Sequence, residues 1–494
     1  MRFTHSTMLN NLCSSCVIKL RYTIIKAIQR SCARRFRYKI KSVLDDHMIR
    51  RTARPDNSKA LGLRQLLSIA LFSLTLSAVP GVQATPWLDA EELHVRHSLQ
   101  VLADAGILSA PVTTFPVMWR PLIADLEQLD PATLTPLQRT AYYKLSHLLE
   151  YHRRGHYSGF KIAGTTDTGA QPSYHRPMEG KAFATITHER IGQNVAGRLR
   201  ATYRNSEVSL NPRVRTDKLS WQGSYAAVMV GDWALSIDQV QNWWSPGSAQ
   251  DGLQTLSTLP LRSVRATYTP SEASGALQRF TLTSFWGESE EEFLVQGDAQ
   301  TWKREQAFGV RAGWRAHEML ELGLQYTESE LVDNSQNWTF DARLTLPYQL
   351  SFYGSVSEHD VEGVRGNGHM VGFDWSFSEA GSLSRVYAEH DRSDLRSLTT
   401  IGYATFRNSG HGYDVRLQDT RVRRDHNSFG RLARWQYLPE FRPGIARIQQ
   451  VEVVAFYPLG AGRIEIGVQG WKDTYESGRE DSFGNLIASY EVRW

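Results

Sequence analysis

The chain has 494 residues, of which 41% are hydrophobic, and a formal net charge of +5 at pH 7. Its mean hydropathy of −0.40 excludes a protein built mainly from membrane-spanning helices. It does not exclude a β-barrel, whose strands present a side chain to lipid only at every second residue.

The positive charge lies at one end of the chain. Residues 1–84 hold fifteen Lys/Arg and three Asp/Glu, whereas residues 85–494 hold 41 basic and 48 acidic side chains. The rest of the chain is therefore negative, and the basic total gives no reason to expect a nucleic-acid partner.

Residues 48–84 are predicted to be a secretory signal peptide. Five basic residues between Arg50 and Arg64 precede an apolar run from Leu66 to Val79, which is too short to span a membrane comfortably. Val82 and Ala84 are the small residues expected at positions −3 and −1 of a signal-peptide cleavage site, so cleavage is expected after Ala84. A retained N-terminal anchor is the alternative.

Residues 1–47 fit no signal peptide, because they are basic and lack an uninterrupted apolar core. Met48 is a natural start, and we interpret 1–47 as an extension upstream of the true start. All three cysteines, Cys13, Cys16 and Cys32, lie there. No second ligand pair follows Cys13 and Cys16, which argues against zinc. The cysteine-free remainder suits an oxidising periplasm.

Three helices are predicted in a head formed by residues 85–155. Asp89 is the expected N-cap of the first, which ends at Gly106, and the second runs from Pro121 to Leu129. The third begins with Thr135 as its cap and ends near Gly155. Its apolar stripe is a packing face rather than a ligand site and comprises Leu137, Ala141, Leu145 and Leu148.

Residues 156–494 alternate between apolar and polar side chains with a period of two, which predicts strands. Soluble sandwiches alternate as well. The segments, however, are about nine to eleven residues long, which matches a tilted membrane strand. Aromatic residues lie towards the segment ends, as an interfacial girdle requires; they include Tyr203, Tyr268, Trp314, Tyr326 and Tyr457.

The final segment, Gly484 to Trp494, has the pattern of a closing barrel strand that barrel-assembly machinery would recognise. Leu486, Ala488, Tyr490 and Val492 are spaced by two before the terminal Trp494. Sixteen to eighteen segments are present, and an even number is expected. The prediction is an all-β transmembrane protein, an antiparallel barrel of about 18 strands with a small N-terminal helical plug on the periplasmic side.

This fold places the chain in the outer membrane of a Gram-negative bacterium, as a monomer in contact with outer-membrane lipid and lipopolysaccharide. The polar loops Gly287–Ala299 and Asp419–Phe429 are expected to be extracellular. An acidic run, Glu288 to Glu292, is a solvated loop or, alternatively, a calcium site.

Charged residues on the polar strand faces allow two interpretations. They form interior ion pairs that fill a plugged barrel, or they attract an acidic polysaccharide. The basic group comprises Arg198, Arg200, Arg204, Arg265, Arg311, Arg315, Arg343 and Arg463. The acidic group comprises Glu189, Glu321, Asp341, Asp374, Glu452 and Glu465.

No catalytic motif, phosphate loop or metal-ligand spacing is present, so the expectation is a protein that is not an enzyme and has neither cofactor nor metal. The candidate ligand site is the segment around Trp243 and Trp244. Indole rings pack on sugar C–H faces, and Asp238, Gln241 and Asn242 offer partners for hydroxyls. The alternative is an aromatic girdle at a strand end before a Pro-Gly turn.

Two stretches resemble the Wzi family of outer-membrane capsule-assembly proteins. One comprises His94 to Leu99, Leu102 to Gly106, and Thr113 to Trp119, similar to the family's Arg-rich helix, its "AG" stop and its "TTWP…W" segment. The other is Asn242 to Gly247, similar to "WWGPG" with Ser245 in place of glycine. Gln254 to Ser257 resembles "LILS", but the Asn-Ala-Arg-Pro that follows it in the family is missing.

This resemblance implies an eighteen-stranded, lectin-like barrel that binds capsular or exopolysaccharide and helps to attach it at the cell surface. A diffusion channel or substrate-selective porin is the alternative, suggested by the barrel size and the charged lumen.

Overall fold

The structure is a computed structural model. It describes residues 87–494 except 90–91, 167–180, 193, 206–208, 212–213, 216–217, 249–259, 271–278, 289–291, 297–298, 304–305, 331–334, 362–363, 380, 395 and 424–443. The predicted extension, 1–47, and signal peptide, 48–84, lie outside the described residues.

Three α-helices form the N-terminal head of the described chain: α1 Leu93–Asp104, α2 Trp119–Glu127 and α3 Pro136–Arg153. At the start of α3, the Gln138 N–H donates to Thr135 Oγ1 and the Thr135 N–H donates to Gln138 Oε1. This reciprocal capping confirms Thr135 as the N-cap. None of the helices in the described residues is long and apolar enough to cross a membrane.

The predicted cap at Asp89 is wrong. Helix α1 begins at Leu93 after Glu92. The Asp89 carboxylate instead accepts a hydrogen bond from Arg198 Nη2 at 2.9 Å. A buried cation on the barrel wall is a stronger partner for a carboxylate than a backbone N–H.

Eighteen strands of the described chain form the barrel. They are β1 His156–Thr165, β2 Ala182–Ile191, β3 Val195–Arg204, β4 Tyr225–Val230, β5 Trp233–Asp238, β6 Arg262–Tyr268, β7 Phe280–Glu288, β8 Gln306–His317, β9 Leu320–Ser329, β10 Ser335–Leu346, β11 Leu350–Val361, β12 Val364–Phe377, β13 Ser382–Ser393, β14 Arg396–Arg407, β15 Gly412–Val422, β16 Ile445–Leu459, β17 Gly462–Tyr475 and β18 Glu480–Arg493.

Every strand pairs antiparallel with its neighbours in the chain, and the last strand returns to the first. Strand β18 pairs with β1, with Arg493 opposite Gly159 and Ile487 opposite Thr165. The Trp494 and Ser158 backbones exchange two hydrogen bonds of 2.9 Å. The barrel is therefore closed, and the terminal segment is its closing strand, as predicted.

The two faces of the barrel wall differ in chemistry. Outward side chains are apolar, and Ile237 and Val356 are 70% and 58% exposed. Inward side chains such as Arg265, Arg311 and Asp341 are polar or charged and almost completely buried. Because successive side chains of a strand point to opposite faces, alternation in sequence becomes an apolar exterior for lipid and a polar lumen.

The two ends of the barrel are unequal. At the short-turn end, connections such as 231–232, 318–319 and 347–349 are two or three residues long. At the long-loop end, the connections 205–224, 239–261 and 423–444 are much longer. Within the predicted loop Gly287–Ala299, Glu292–Gln296 pairs with Ala299–Lys303 as a hairpin. Residues Asp419 to Val422 belong to β15, and 424–429 lie outside the described residues.

Candidate functional site

The helical head lies against the inner face of the barrel wall at its short-turn end. Its own core contains Leu99, Leu102, Leu122 and Leu145, each completely buried. At the turn between β4 and β5, the Arg120 guanidinium donates to the Gly231 carbonyl. The head thus brings its own apolar core and presents polar atoms to a polar wall.

Buried ion pairs join the head to the wall. Arg343 of β10 lies between Asp104 at the end of α1 and Asp374 of β12, with N–O distances of 2.6 and 2.9 Å. Arg385 of β13 also contacts Asp374 at 2.6 Å. One guanidinium therefore links the head to two strands of the wall, with its charge balanced on both sides.

A second group of contacts joins residues 112–114 of the head to the wall. The Glu321 carboxylate accepts from the backbone N–H groups of Val112 and Thr113, at 3.1 and 3.0 Å, and from the Thr113 hydroxyl. Arg311 contacts Asp341 at 2.6 Å and donates to Thr114 Oγ1 at 2.7 Å. The predicted interior ion pairing is confirmed for Arg311 and Asp341, whereas the donors to Glu321 are neutral groups of the head.

Four other predicted charges have different surroundings. Arg315 donates to the Ala103 carbonyl, and Glu189 accepts from the Tyr225 hydroxyl. Arg204 Nη2 lies 3.4 Å from Gln222 Oε1, and Arg463 Nη2 lies 3.5 Å from Glu491 Oε2. These contacts also face the lumen, as predicted.

The candidate tryptophans lie inside the lumen. The connection from β5 to β6 enters from the long-loop end, and Trp243 and Trp244 pair with Phe115 and Thr114 of the head as a short two-stranded ladder. Trp243 is 4% exposed, and Trp244 is completely buried. The girdle interpretation is therefore wrong for both rings, since neither faces lipid.

The two rings contact different partners. The Trp243 ring lies 4.8 Å from the Arg96 guanidinium of α1, and its indole N–H donates to the Gly247 carbonyl at 3.2 Å. The Trp244 ring lies 5.3 Å from the Phe285 ring of β7. Protein atoms thus cover both indole faces.

Two of the three polar members of the predicted site, Asp238 and Asn242, contact a single guanidinium. Arg265 Nε and Nη2 contact the two Asp238 carboxylate oxygens at 2.9 and 3.0 Å, and Nη1 donates to Asn242 Oδ1 at 2.6 Å. Gln241 is half-buried next to them. The structure brings the five predicted residues together, and Asp238 and Asn242 are already engaged with Arg265.

Arg96 is a central residue that the predicted site omits. Its guanidinium donates to the backbone carbonyls of Ser245 and Gly247 and lies over the Trp243 ring. The sequence signal was the first family-like stretch, which includes Arg96. Nothing in sequence spacing alone connects Arg96 with a segment about 150 positions later. The Gln254 to Ser257 part of the second stretch lies outside the described residues.

Burial lowers the pKa of two histidines in the head. Loss of solvent lowers the pKa of His97 to about 3, and its Nε2 lies 2.9 Å from Ser376 Oγ of the wall. Burial also lowers the pKa of His94 to about 3, although Glu92 is 2.9 Å away. Both imidazoles are therefore neutral hydrogen-bonding groups at pH 7.

No group of three or more His, Cys, Asp or Glu in the described ranges could hold a metal ion. The arrangement offers buried hydrogen-bond networks and covered aromatic rings, together with a cavity of about 300 Å³ between the head and the wall.

Comparisons with known proteins agree with this architecture. No family model matches the chain, and no curated protein matches it. Among solved structures, the chain is similar to Wzi of Escherichia coli, which is described as a carbohydrate-binding β-barrel involved in group 1 capsule assembly. The two are 15% identical, with a TM-score of 0.65, and the match covers 82% of this chain and 99% of Wzi.

Two further solved structures, OccD1 (OprD) and OccK3 (OpdO, from Pseudomonas aeruginosa), are each 11% identical to this chain. Their TM-scores are 0.45 and 0.42. They cover 69% and 70% of this chain, and 94% and 98% of their own. The likeness to Wzi shows the fold: the chain is a closed outer-membrane β-barrel.

Proposed function

We propose that this chain is a non-enzymatic outer-membrane protein that binds capsular or exopolysaccharide and helps to attach it at the cell surface. One observation carries the proposal. The two stretches that separately resemble the Wzi family meet in the lumen, where Trp243 pairs with Phe115 and Arg96 holds the Gly247 carbonyl. The carbohydrate binding described for Wzi supports the same ligand class here.

The geometry also bears on the alternative of a channel. Asp104 and Asp89 of the head hold Arg343 of β10 and Arg198 of β3, which are seven strands apart in the wall, so the head occupies inner surface that a channel would leave to water. Barrels of this type have short periplasmic turns, so we place the head on the periplasmic side. A plugged lectin-like barrel fits these contacts better than a diffusion channel.

The ligand residues remain part of the proposal. Asp238, Gln241 and Asn242 lie beside the tryptophan pair, but Trp243 and Trp244 are covered by protein. We therefore expect the two rings to order the segment next to a binding surface rather than to stack on a sugar.

The proposal is tested by a deletion strain and by the purified protein. We expect the strain to release polysaccharide into the medium, and the protein in detergent to retain that polysaccharide in a binding assay. Complete retention on the deletion strain, together with no binding by the purified protein, would exclude this function.

A further inference from the structure

The cavity between the head and the wall has the features of a ligand site. It has a volume of about 300 Å³, at the lower end of the range for small-molecule pockets. Helices α1 and α3 line one side, and β1 to β3 with β17 and β18 line the other. His147, an exposed residue of α3, forms part of its rim, so the cavity opens near the short-turn end.

Two lysines supply unbalanced positive charge to the cavity. Lys144 lies on α3 and Lys161 on β1, both half-buried. Neither forms an ion pair within the described part of the chain; Lys161 lies 5.7 Å from the Phe183 ring centroid. Three of the four arginines that line the cavity are different, because the structure pairs each of them with a carboxylate: Arg198 with Asp89, Arg463 with Glu491, and Arg493 with Glu92 and Glu491. The fourth is Arg200.

The remaining lining defines which anion fits. Four carboxylates also line the cavity, namely Asp89, Glu92, Glu465 and Glu491, and they disfavour a dianion such as a phosphate monoester. Thr187 adds a hydroxyl, while Leu148 and Phe456 add apolar surface. A single carboxylate on a ring that also carries hydroxyls and C–H faces matches this combination.

We propose that this cavity binds an acidic sugar residue, with its carboxylate held by Lys144 and Lys161. The inference rests on the proposed function only for the sugar class of the ligand, because this cavity opens at the barrel end that the proposal assigns to the periplasm. It places an anion-selective subsite on the short-turn side, away from the Trp243 segment. Charge-assisted hydrogen bonds from two ammonium groups supply the selectivity for a uronate-type residue over a neutral sugar.

The ionisation of Lys144 supports this arrangement. Burial lowers its pKa to about 8, with contributions from the nearby Arg463 and Arg493, while Glu92 and Glu491 act in the opposite direction. His94 and His147 also line this part of the cavity. A bound carboxylate would stabilise the ammonium form, so acidic-sugar binding should weaken between pH 7 and pH 9 as Lys144 loses its proton.

Calorimetry on the full mature chain in detergent tests the proposal. The probes are trigalacturonate, maltotriose as a neutral trimer, and inorganic phosphate. We expect trigalacturonate to bind, maltotriose to bind at least tenfold more weakly, and phosphate not to displace the trigalacturonate. Lys144→Gln and Lys161→Gln should each weaken trigalacturonate binding at least tenfold. Lys144→Arg should preserve most of it.

Lys181→Gln is the matched control, because Lys181 is exposed at the long-loop end, and it should bind as the unaltered chain does. Heat-dependent electrophoretic mobility verifies that each variant is folded. Equal binding by the Lys144→Gln and control variants would overturn this inference, as would displacement by phosphate or no binding of trigalacturonate at all. The proposed function would survive these results if the native polysaccharide still bound.

Discussion

The central residue of the lumen is Arg343, a side chain that is 2% exposed and lies between two carboxylates. Desolvating three charges is costly, and the mutual attraction offsets this cost only while every partner is present. Asp104 belongs to the head and Asp374 to the wall. The ion pairs that neutralise these buried carboxylates therefore also fix the position of α1 against the wall.

Replacing Arg343 tests this balance. Arg343→Met leaves Asp104 buried without its cation and leaves Asp374 with Arg385 alone, and we expect the free energy of unfolding to fall by about 3–5 kcal/mol. Urea unfolding in detergent micelles, followed by tryptophan fluorescence, measures the loss. Arg365→Met is the control, because Arg365 is 78% exposed and 3.7 Å from Asp360, and it should change little. Equal losses would contradict a special role for Arg343.

The histidines of α1 predict a pH dependence. His94 and His97 have pKa values of about 3 in the folded chain because of burial, whereas unfolded histidine titrates near 6.5. The unfolded chain therefore binds more protons between these values, and stability falls as pH decreases from 7 towards 3. At pH 5 we expect a loss of about 1–2 kcal/mol per histidine.

The measurement is urea unfolding at pH 7 and pH 5. His97→Gln can still hydrogen-bond to Ser376 but cannot titrate, so the difference between the two pH values should shrink. An unchanged difference would indicate that other groups control the pH response.

The connection between β5 and β6 is the element that joins the two family-like stretches. Its ladder with residues 114–115 places Trp244 against Phe285 of β7 and close to Gly309 of β8. A Cβ at Gly309 would lie 2.6 Å from Phe285 Cε1 and 3.2 Å from Trp244 Cη2. The wall therefore needs a glycine here so that these two rings can pack against it.

Truncating the buried ring separates packing from ligand binding. Trp244→Ala removes a completely buried side chain, and the resulting cavity should lower the free energy of unfolding by about 3–5 kcal/mol. Trp286→Ala, on the outer face and 52% exposed, should cost clearly less in micelles. Should Trp244→Ala keep its stability and yet lose polysaccharide binding, the ring would be a ligand contact instead.

At the scale of the whole molecule, the barrel and the head make one filled structure. A barrel of eighteen strands would enclose a water-filled lumen if it were empty. Here several of the wall's inner charges are paired with each other or with the head, as for Arg311 with Asp341 and Thr114. The size of the barrel alone therefore does not make it a channel.

Planar-bilayer recording tests that conclusion. We expect no regular conductance steps from the unaltered chain, because the head occupies the lumen. Arg311→Ala combined with Arg343→Ala removes two attachment points and should produce openings of irregular duration. Regular steps from the unaltered chain would favour the porin alternative.

The sequence by itself determined the barrel. The alternation predicted from residue 156 onwards is found in the strands of the structure, for example Val195–Arg204 and Arg262–Tyr268, and the closing strand and the Thr135 cap were predicted as well. These features depend on side-chain alternation and on contacts within a few residues, which are visible in a linear chain.

Only the tertiary structure decided which charges and rings meet. Asp89 pairs with Arg198 instead of capping α1, and Arg96 reaches the Gly247 carbonyl across 151 positions. The sequence predicted a ligand site or a girdle at Trp243 and Trp244, but it did not show that protein covers both rings. The physical reason is that a buried charge or ring contacts whichever residue lies beside it once the barrel has closed around the head. The separation of two residues in the sequence does not predict that contact.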